Sequence, residues 1–469
     1  MDLSAAPVSE EQITPGAALR GADLSQLDLT DASLDGADLT DADLTGADLS
    51  GATLEGADLS GATLESTVFR GANLRDATLE RATLDGTEFH SADVTGVKFP
   101  GTDLAGAEFS ETTVSGRQAP AAETELPAGE SEELDLAGAD LSGADLSGTD
   151  LAGADLSGAV LPAEDLSGRD LRGVNLANAQ LPGSDLSNAD LSGARLSHAN
   201  LFGATLLEAN LEGARLADVQ LSGADLTDAT LDGATLTETD LFGATLPGAR
   251  LVGAALPATN LTNTDFTRAA LDEATLLGAR LSGADFTNAT LDGARLTNTN
   301  LTGADLSGAT LLGSRLHGAN LTETRLARAK LPGADLLSAT LSNTVLFETD
   351  LEGARLYGVD LSGETIVTAN LSKTNLARAN LSNADLGRSD LSGADATEAV
   401  FTGANLSEAS LAGATLVDAN LDAVDLSDAD LSGADLQNAT LADADLDGAN
   451  LAGCEMSVDS RVRYWLGLL

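Results

Sequence analysis

Large side chains are scarce in this sequence. Aromatic residues make up 3% of its 469 residues, and methionine occurs only twice. A core packed from varied large side chains cannot be built from this composition, so any core must use leucine and alanine repeatedly. The lone cysteine, Cys454, excludes both a disulfide framework and a thiolate metal site.

Membrane and export signals are also missing. No run approaches the roughly 18 consecutive apolar residues that a membrane-spanning helix needs. The segment Met1–Arg20 lacks the basic start and apolar run of a secretory signal. We therefore expect a cytoplasmic protein that does not bind membranes.

Basic residues are few, and lysine occurs only at Lys98, Lys330 and Lys373. The formal net charge is −50 at pH 7, which disfavours direct binding of nucleic acid. Two interpretations of the acidity remain open. One is adaptation to a high-salt cytoplasm, where screening is strong. The other is an acidic surface that binds a protein partner with a basic surface.

What the sequence does contain is a five-residue unit, Ala189–Gly193, copied along nearly the whole chain. A large apolar residue recurs every five positions from Leu19 to Val114 and from Leu136 to Met456, with a small residue two positions before it. Period five fits neither a helix nor a strand. It favours a chain that turns a corner in every unit, with the large and small residues pointing inward and the other three positions facing out or forming the turn.

Units such as Gly36–Thr40 and Gly223–Thr227 resemble the A(D/N)LXX motif of pentapeptide repeat proteins. The resemblance implies an all-β fold, a right-handed quadrilateral parallel β-helix (a solenoid) with four pentapeptides per coil. It also implies that Leu39 and Leu226 take the central inward position and that Ala37 and Ala224 take the second inward position.

The period divides the chain into five parts. We predict an N-terminal arm (1–16), a first repeat block (17–116), an acidic proline-containing loop or linker (117–133), a second block (134–456) and a C-terminal capping helix (457–469). Whether 117–133 is a loop extruded from one rod or a tether between two rods remains open. Three large residues of the last part are candidates for a cap or a homodimer contact: Tyr464, Trp465 and Leu468.

A 20-residue coil places residues i and i+20 above one another. One face then carries the acidic column, formed by Asp145, Asp165, Asp185, Asp225, Asp265, Asp285, Asp305, Asp385, Asp425 and Asp445. Another face carries the arginine column, formed by Arg195, Arg215, Arg295, Arg315 and Arg355. The columns are a candidate interaction surface. The alternative is that the arginines only neutralise neighbouring acids.

Charged residues also occupy three small inward positions, at Glu164, Arg169 and Glu364. A charge at an inward position is costly unless it is satisfied, so we expect local distortion there, with an ion pair between Glu164 and Arg169 as one solution.

Sequence signals for catalysis are absent. The chain has no phosphate-binding loop and no dinucleotide fingerprint. In a rod, His90, His198 and His317 lie too far apart to share a metal ion. We predict no catalytic residue, no cofactor, no metal ligand and therefore no enzyme.

These observations predict a non-enzymatic structural scaffold or protein–protein interaction rod adapted to high salt. The alternative comes from the resemblance, because gyrase-binding pentapeptide proteins are thought to act as DNA mimics. Fifty charges on a rod of about 100 Å would give about one charge per 2 Å, close to duplex DNA. The alternative is thus an acidic DNA mimic that binds and regulates a type II topoisomerase.

Overall fold

The computed structural model describes Val8 and residues 12–102, 104, 106–109, 134, 136–144, 146 and 149–457. The chain forms two compact units, Met1–Leu221 and Ser222–Leu469. Each is a parallel β-helix in which residue i pairs with residue i+20, as in Asn200↔Gln220 and Asp285↔Asp305. Because each unit has five residues and each coil 20, the coil has four sides.

One pentapeptide shows how the sequence builds a side and a corner. The Leu191 N–H donates to the Asn210 carbonyl at 2.7 Å, and the Asn210 N–H donates to the Ala189 carbonyl at 2.9 Å. The corner follows at once, because the Ala194 N–H donates back to the Leu191 carbonyl at 3.0 Å. Gly193 has φ +67° in this turn, a conformation that glycine adopts without strain.

The corners limit the length of regular strands. Most sides contribute one isolated bridge, and the described residues include two short strands, β1 (Asp435–Leu436) and β2 (Glu455–Met456). They pair in parallel with Asp435 opposite Glu455. The all-β prediction is confirmed, although little of the chain forms extended strands.

The core is the predicted one. Leu39, Leu191 and Leu226 are fully buried, and Ala37 and Ala224 are 1% exposed. Phenylalanines take the leucine position in places and stack between coils, as Phe266 and Phe286 do at 4.9 Å. Leucine and alanine on every side therefore line the interior of each unit.

Threonine also fills the small inward position. The hydroxyls of Thr67, Thr259 and Thr324 are buried and donate to leucine carbonyls of the preceding coil at 2.8, 2.7 and 2.9 Å. A polar residue is tolerated there because the coil provides an acceptor for its only donor.

The predicted linker, 117–133, lies outside the described residues. On either side of it the ladder continues directly, because Lys98 pairs with Asp140 and the Gly101 N–H donates to the Gly143 carbonyl at 2.7 Å. The boundaries predicted from the sequence stay predictions.

The predicted C-terminal capping helix is not supported by the structure. No α-helix occurs in the part of the chain that the structure describes, and Ser457 is its last residue. The rest of the predicted helix, with Tyr464, Trp465 and Leu468, lies outside it. Among the described residues, no helix combines the length and apolarity that crossing a bilayer would require.

Candidate protein-interaction surface

The acidic column forms as the period predicts wherever it is described. Asp165 pairs with Asp185 in the first unit, and Asp265, Asp285 and Asp305 follow one another in the second. Asp145 lies outside the described residues. Successive carboxylates in each run therefore stand one coil apart, about 4.8 Å.

These aspartates also cap the corner that follows them. The Asp165 carboxylate accepts the Ser167 N–H at 3.0 Å and the Ser167 hydroxyl at 2.6 Å, and these bonds lower the pKa of Asp165. Burial raises the pKa of Asp225, but hydrogen bonds from Thr227 and Thr245 outweigh it, so the pKa is lowered overall. Both carboxylates are therefore held in the charged form at neutral pH.

Asparagines separate many of the acids. The Asn210 amide donates to Asp190 one coil before it at 2.9 Å, and Asn370 donates to Asp350 at 2.8 Å. The same contact joins Asn405 to Asp385 at 2.8 Å. Sequence reasoning missed this ladder, although the alternation of Asp and Asn at 20-residue spacing is its signal.

The arginine column also forms. Arg195 pairs with Arg215 in the first unit, and Arg295 pairs with Arg315 in the second. All five predicted arginines are exposed. Each pairing places two cations one coil apart on the same face.

One of the five arginines of this column makes an ion pair with a described residue. Arg355 does bind Asp335, at 3.3 Å. However, Arg195, Arg215, Arg295 and Arg315 have no ion pair within the described part of the chain. Some arginines elsewhere are paired, such as Arg250 with Asp232 at 2.7 Å and Arg328 with Glu348 at 2.7 Å, whereas Arg268 and Arg280 have no ion pair among the described residues. Four cations of this column therefore make no ion pair with a described residue.

The segment around Arg295 and Arg315 reverses the charge of the chain. Residues 290–330 contain five basic residues and three acidic ones, a net charge of +2, whereas the whole chain carries −50. Leu312, three residues before Arg315 in the sequence, is 55% exposed. Arginine is enriched among the residues that dominate binding at protein interfaces.

The ion pair expected between Glu164 and Arg169 does not form. Glu164 accepts the Gly143 N–H instead. Arg169 donates to the carbonyls of Leu146, at 2.6 Å, and Thr149. Each charged side chain thus bonds to a backbone group of the preceding coil that a backbone group would otherwise bind. Burial raises the pKa of Glu164. A cleft of about 460 Å³ opens beside them, but its three ionic side chains, Glu164, Asp165 and Arg169, are occupied by backbone groups.

Glu364 separates two neighbouring coils of the second unit in a similar way. Its side chain is buried, and its carboxylate accepts the Asn343 N–H at 2.8 Å. The Leu341 and Leu346 N–H groups, in this fully described stretch, lack the inter-coil bonds that other leucines make. An apolar cavity of about 10 Å³, lined in part by Leu341, Leu346 and Ile366, lies beside the opening. Burial raises the pKa of Glu364.

The described residues contain no group of three His, Cys, Asp or Glu side chains that could hold a metal ion. His198 lies 3.7 Å from Asp218, and His317 is exposed in the second unit.

The repeat is the feature that this chain shares with known proteins. A family described as pentapeptide repeats (8 copies) matches residues 16–86, 132–162, 170–363 and 369–457. No curated protein sequence gives a significant match.

Solved structures with the same repeat are similar over part of the chain. HetL, a pentapeptide repeat protein involved in heterocyst differentiation regulation from the cyanobacterium Nostoc sp. strain PCC 7120, is 35% identical, with 50% of this chain and 89% of HetL covered and a TM-score of 0.26. A pentapeptide repeat protein from the Arabidopsis thaliana thylakoid lumen is 32% identical, with 25% and 77% covered and a TM-score of 0.20. QnrB1, a plasmid-mediated fluoroquinolone resistance protein, is 20% identical, with 50% and 99% covered and a TM-score of 0.24.

Proposed function

Because the chain belongs to the pentapeptide repeat family, whose fold is a right-handed quadrilateral β-helix, we propose that it is a non-enzymatic scaffold that binds protein partners on the faces of its β-helical units. The observation that carries this proposal is the arginine column. Unpaired, exposed cations at Arg195, Arg215, Arg295 and Arg315 contribute little to the stability of the chain itself. Their regular spacing suits a partner with acidic side chains.

The form of the surface supports binding rather than catalysis. Small-molecule sites are usually concave and bury most of their ligand. Here the exposed side chains repeat along the sides of each unit, and the ionic groups at the cleft near Glu164 already hold backbone groups.

We also propose that the acidity reflects a salt-rich cytoplasm. Carboxylates recur once per coil on several faces, and at low salt neighbouring charges of one sign destabilise a compact state. Dense salt screens them, and the asparagine ladder relieves part of the remaining repulsion.

A DNA mimic that regulates a type II topoisomerase is the alternative. The ionised acidic column supports it, because its carboxylates repeat as regularly as phosphates. The arginine column argues against it, because a phosphate backbone presents no stacked cations. We therefore favour the scaffold.

The scaffold proposal predicts the outcome of affinity capture at native salt. Replacing Arg195 and Arg215 by glutamate, or Arg295 and Arg315 by glutamate, should reduce recovery of the main partner by about tenfold, because arginine contacts often dominate interfaces. The matched control is Arg280→Glu with Lys330→Glu, which makes the same charge change on other faces. Equal recovery with all baits would contradict the proposal, whereas recovery of a type II topoisomerase by every bait would support the alternative.

The salt proposal predicts that the protein is most stable in concentrated salt. Raising KCl from about 0.05 M to about 2 M at pH 7 should increase the melting temperature by on the order of 10 °C, because carboxylate repulsion is screened. Circular dichroism measures the transition. At about pH 3, where many carboxylates are protonated, the increase should be much smaller. A melting temperature that does not depend on salt at pH 7 would exclude the proposal.

A further inference from the structure

We propose that the second unit associates side by side with the second unit of another copy of this chain, through the arginine column of one copy and the acidic column of the other. This inference concerns one pair of faces, and the partner is a second copy of this chain. It does not depend on the capture experiment, because it is tested on the purified protein alone.

The two columns lie on opposite sides of the same coils. Arg295 and Asp285 are ten residues apart, which is two pentapeptides and half of a 20-residue coil. Because both columns repeat once per coil, their side chains have the same axial spacing. A neighbouring copy in the same orientation, shifted by half a coil, therefore keeps every level in register.

The order of charges in the two columns is complementary. Along the chain, one face presents Arg295, Arg315 and Asp335, and the opposite face presents Asp285, Asp305 and Arg325. With the half-coil shift, Arg295 faces Asp285, Arg315 faces Asp305, and Asp335 faces Arg325. Opposite charges thus meet at three successive levels. Farther along the same faces Asp395, Asp435 and Glu455 would face Asp385, Asp425 and Asp445, so the proposed contact is confined to the coils from 285 to 335.

Other arrangements of the same faces bring like charges together. If the second copy is reversed end to end, Arg295 faces Arg325 and Asp335 faces Asp285. If two arginine columns meet each other, Arg295 and Arg315 face arginines. Like-charge contacts suppress wrong arrangements at interfaces, so within the coils from 285 to 335 the parallel arrangement of arginine face against acidic face is favoured over these two.

Arg295 and Arg315 are the groups most open to this contact, whereas Asp335 already binds Arg355 at 3.3 Å and Arg325 lies 3.5 Å from Asp305. Arg295 and Arg315 are exposed and have no ion pair among the described residues. Asp285 and Asp305 use one carboxylate oxygen each to accept N–H groups, from Thr287 at 2.8 Å and Ser307 at 2.9 Å. At Asp285 the second oxygen is left for a neighbour. At Asp305 the second oxygen lies 3.5 Å from Arg325, a long contact that an incoming arginine can share.

The net negative charge of each copy repels the other copy over long distances. Added salt weakens this long-range repulsion before it weakens the attraction between charges in contact. The Debye length is about 8 Å at 0.15 M salt, so repulsion between distant carboxylates is screened while contacting pairs are screened less. We therefore expect association to be weak at about 0.01 M salt and stronger at about 0.15–0.5 M.

The test uses two variants that each remove one face. Arg295→Gln with Arg315→Gln removes the cations, and Asp285→Asn with Asp305→Asn removes the anions while keeping the corner bonds, since asparagine accepts the same N–H at Asn300. Sedimentation velocity of full-length protein should show concentration-dependent association of the parent chain. For each variant alone, the concentration needed should rise by about tenfold.

Mixing the two variants gives the decisive result. Each keeps the face that the other lacks, so the mixture should form one-to-one heterodimers that do not grow further. The control, Arg280→Gln with Lys330→Gln, removes two cations from other faces and should associate like the parent. Association of both variants at the parent's concentration, absence of any association in the parent across this salt range, or a mixture that stays monomeric would each overturn the inference.

Discussion

Phe286→Ala should lower the free energy of unfolding of the second unit by about 3–5 kcal/mol. Phe286 is fully buried and stacks on Phe266 with ring centroids 4.9 Å apart and planes 6° apart. The coil around it cannot collapse, because ladder bonds such as Phe286 N–H to the Asp305 carbonyl, at 2.7 Å, hold the coils at a constant spacing. The truncated side chain should therefore leave most of its volume empty.

Denaturant unfolding followed by circular dichroism, with hydrogen exchange of the neighbouring coils, measures this loss. Phe286→Leu is the matched control and should cost less than about 1.5 kcal/mol, because leucine fills the same column position at Leu246 and Leu306. Equal losses for alanine and leucine would contradict the expectation and would mean that the coils close over the gap.

The opposite sign is expected for Glu364→Ala, which should raise the free energy of unfolding by about 1–3 kcal/mol at pH 8. Alanine is the usual residue at this position. Its small side chain should let the coils at Leu341 and Ile366 close and re-form the missing ladder bonds. The same change removes a buried carboxylate.

The pH dependence follows from the raised pKa of Glu364. A carboxyl whose pKa is higher in the folded protein imposes no penalty below its unfolded value of about 4.3. It destabilises the fold as the pH rises through the folded pKa. The advantage of Glu364→Ala should therefore be smaller near pH 4 than at pH 8.

Two further variants separate the causes. Glu364→Gln keeps the size and an acceptor for the Asn343 N–H but removes the charge, so it should recover the pH-dependent part of the gain only. Asp447→Ala changes an exposed acid and should leave stability within about 0.5 kcal/mol. If Glu364→Ala unfolds more easily than the parent at pH 8, the carboxylate supports the fold and our interpretation is wrong.

Glu364 and Arg169 show which contacts could not be predicted from the sequence. Their positions in the repeat mark them as misplaced charges, and distortion there is predictable. Their partners are not. Arg169 and Glu164 are five residues apart and of opposite charge, yet the coil directs each to the backbone of the preceding turn, 20 or more residues earlier. Only a closed coil brings those carbonyl and N–H groups within reach.

The arginine column likewise has one feature that the sequence predicts and one that it does not. The 20-residue period predicts which arginines share a face, and Arg195↔Arg215 and Arg295↔Arg315 confirm it. It does not predict which of them bind acids, because Arg355 reaches Asp335 while Arg315, also one coil from Asp335, does not. Side-chain conformation decides between two acceptable neighbours.

By itself, the sequence determined the coil. A large apolar residue every five positions, with a small one two before it, favours a chain that turns at each unit, so the inward residues and the corners follow from composition and spacing. The 20-residue register was implied by the resemblance to pentapeptide repeat proteins. Tertiary structure alone decided which polar groups are satisfied: which aspartates bind an asparagine, which charges open the ladder and which arginines stay free. These contacts join residues about 20 positions apart, and their energies depend on distances that exist only once the coils are stacked.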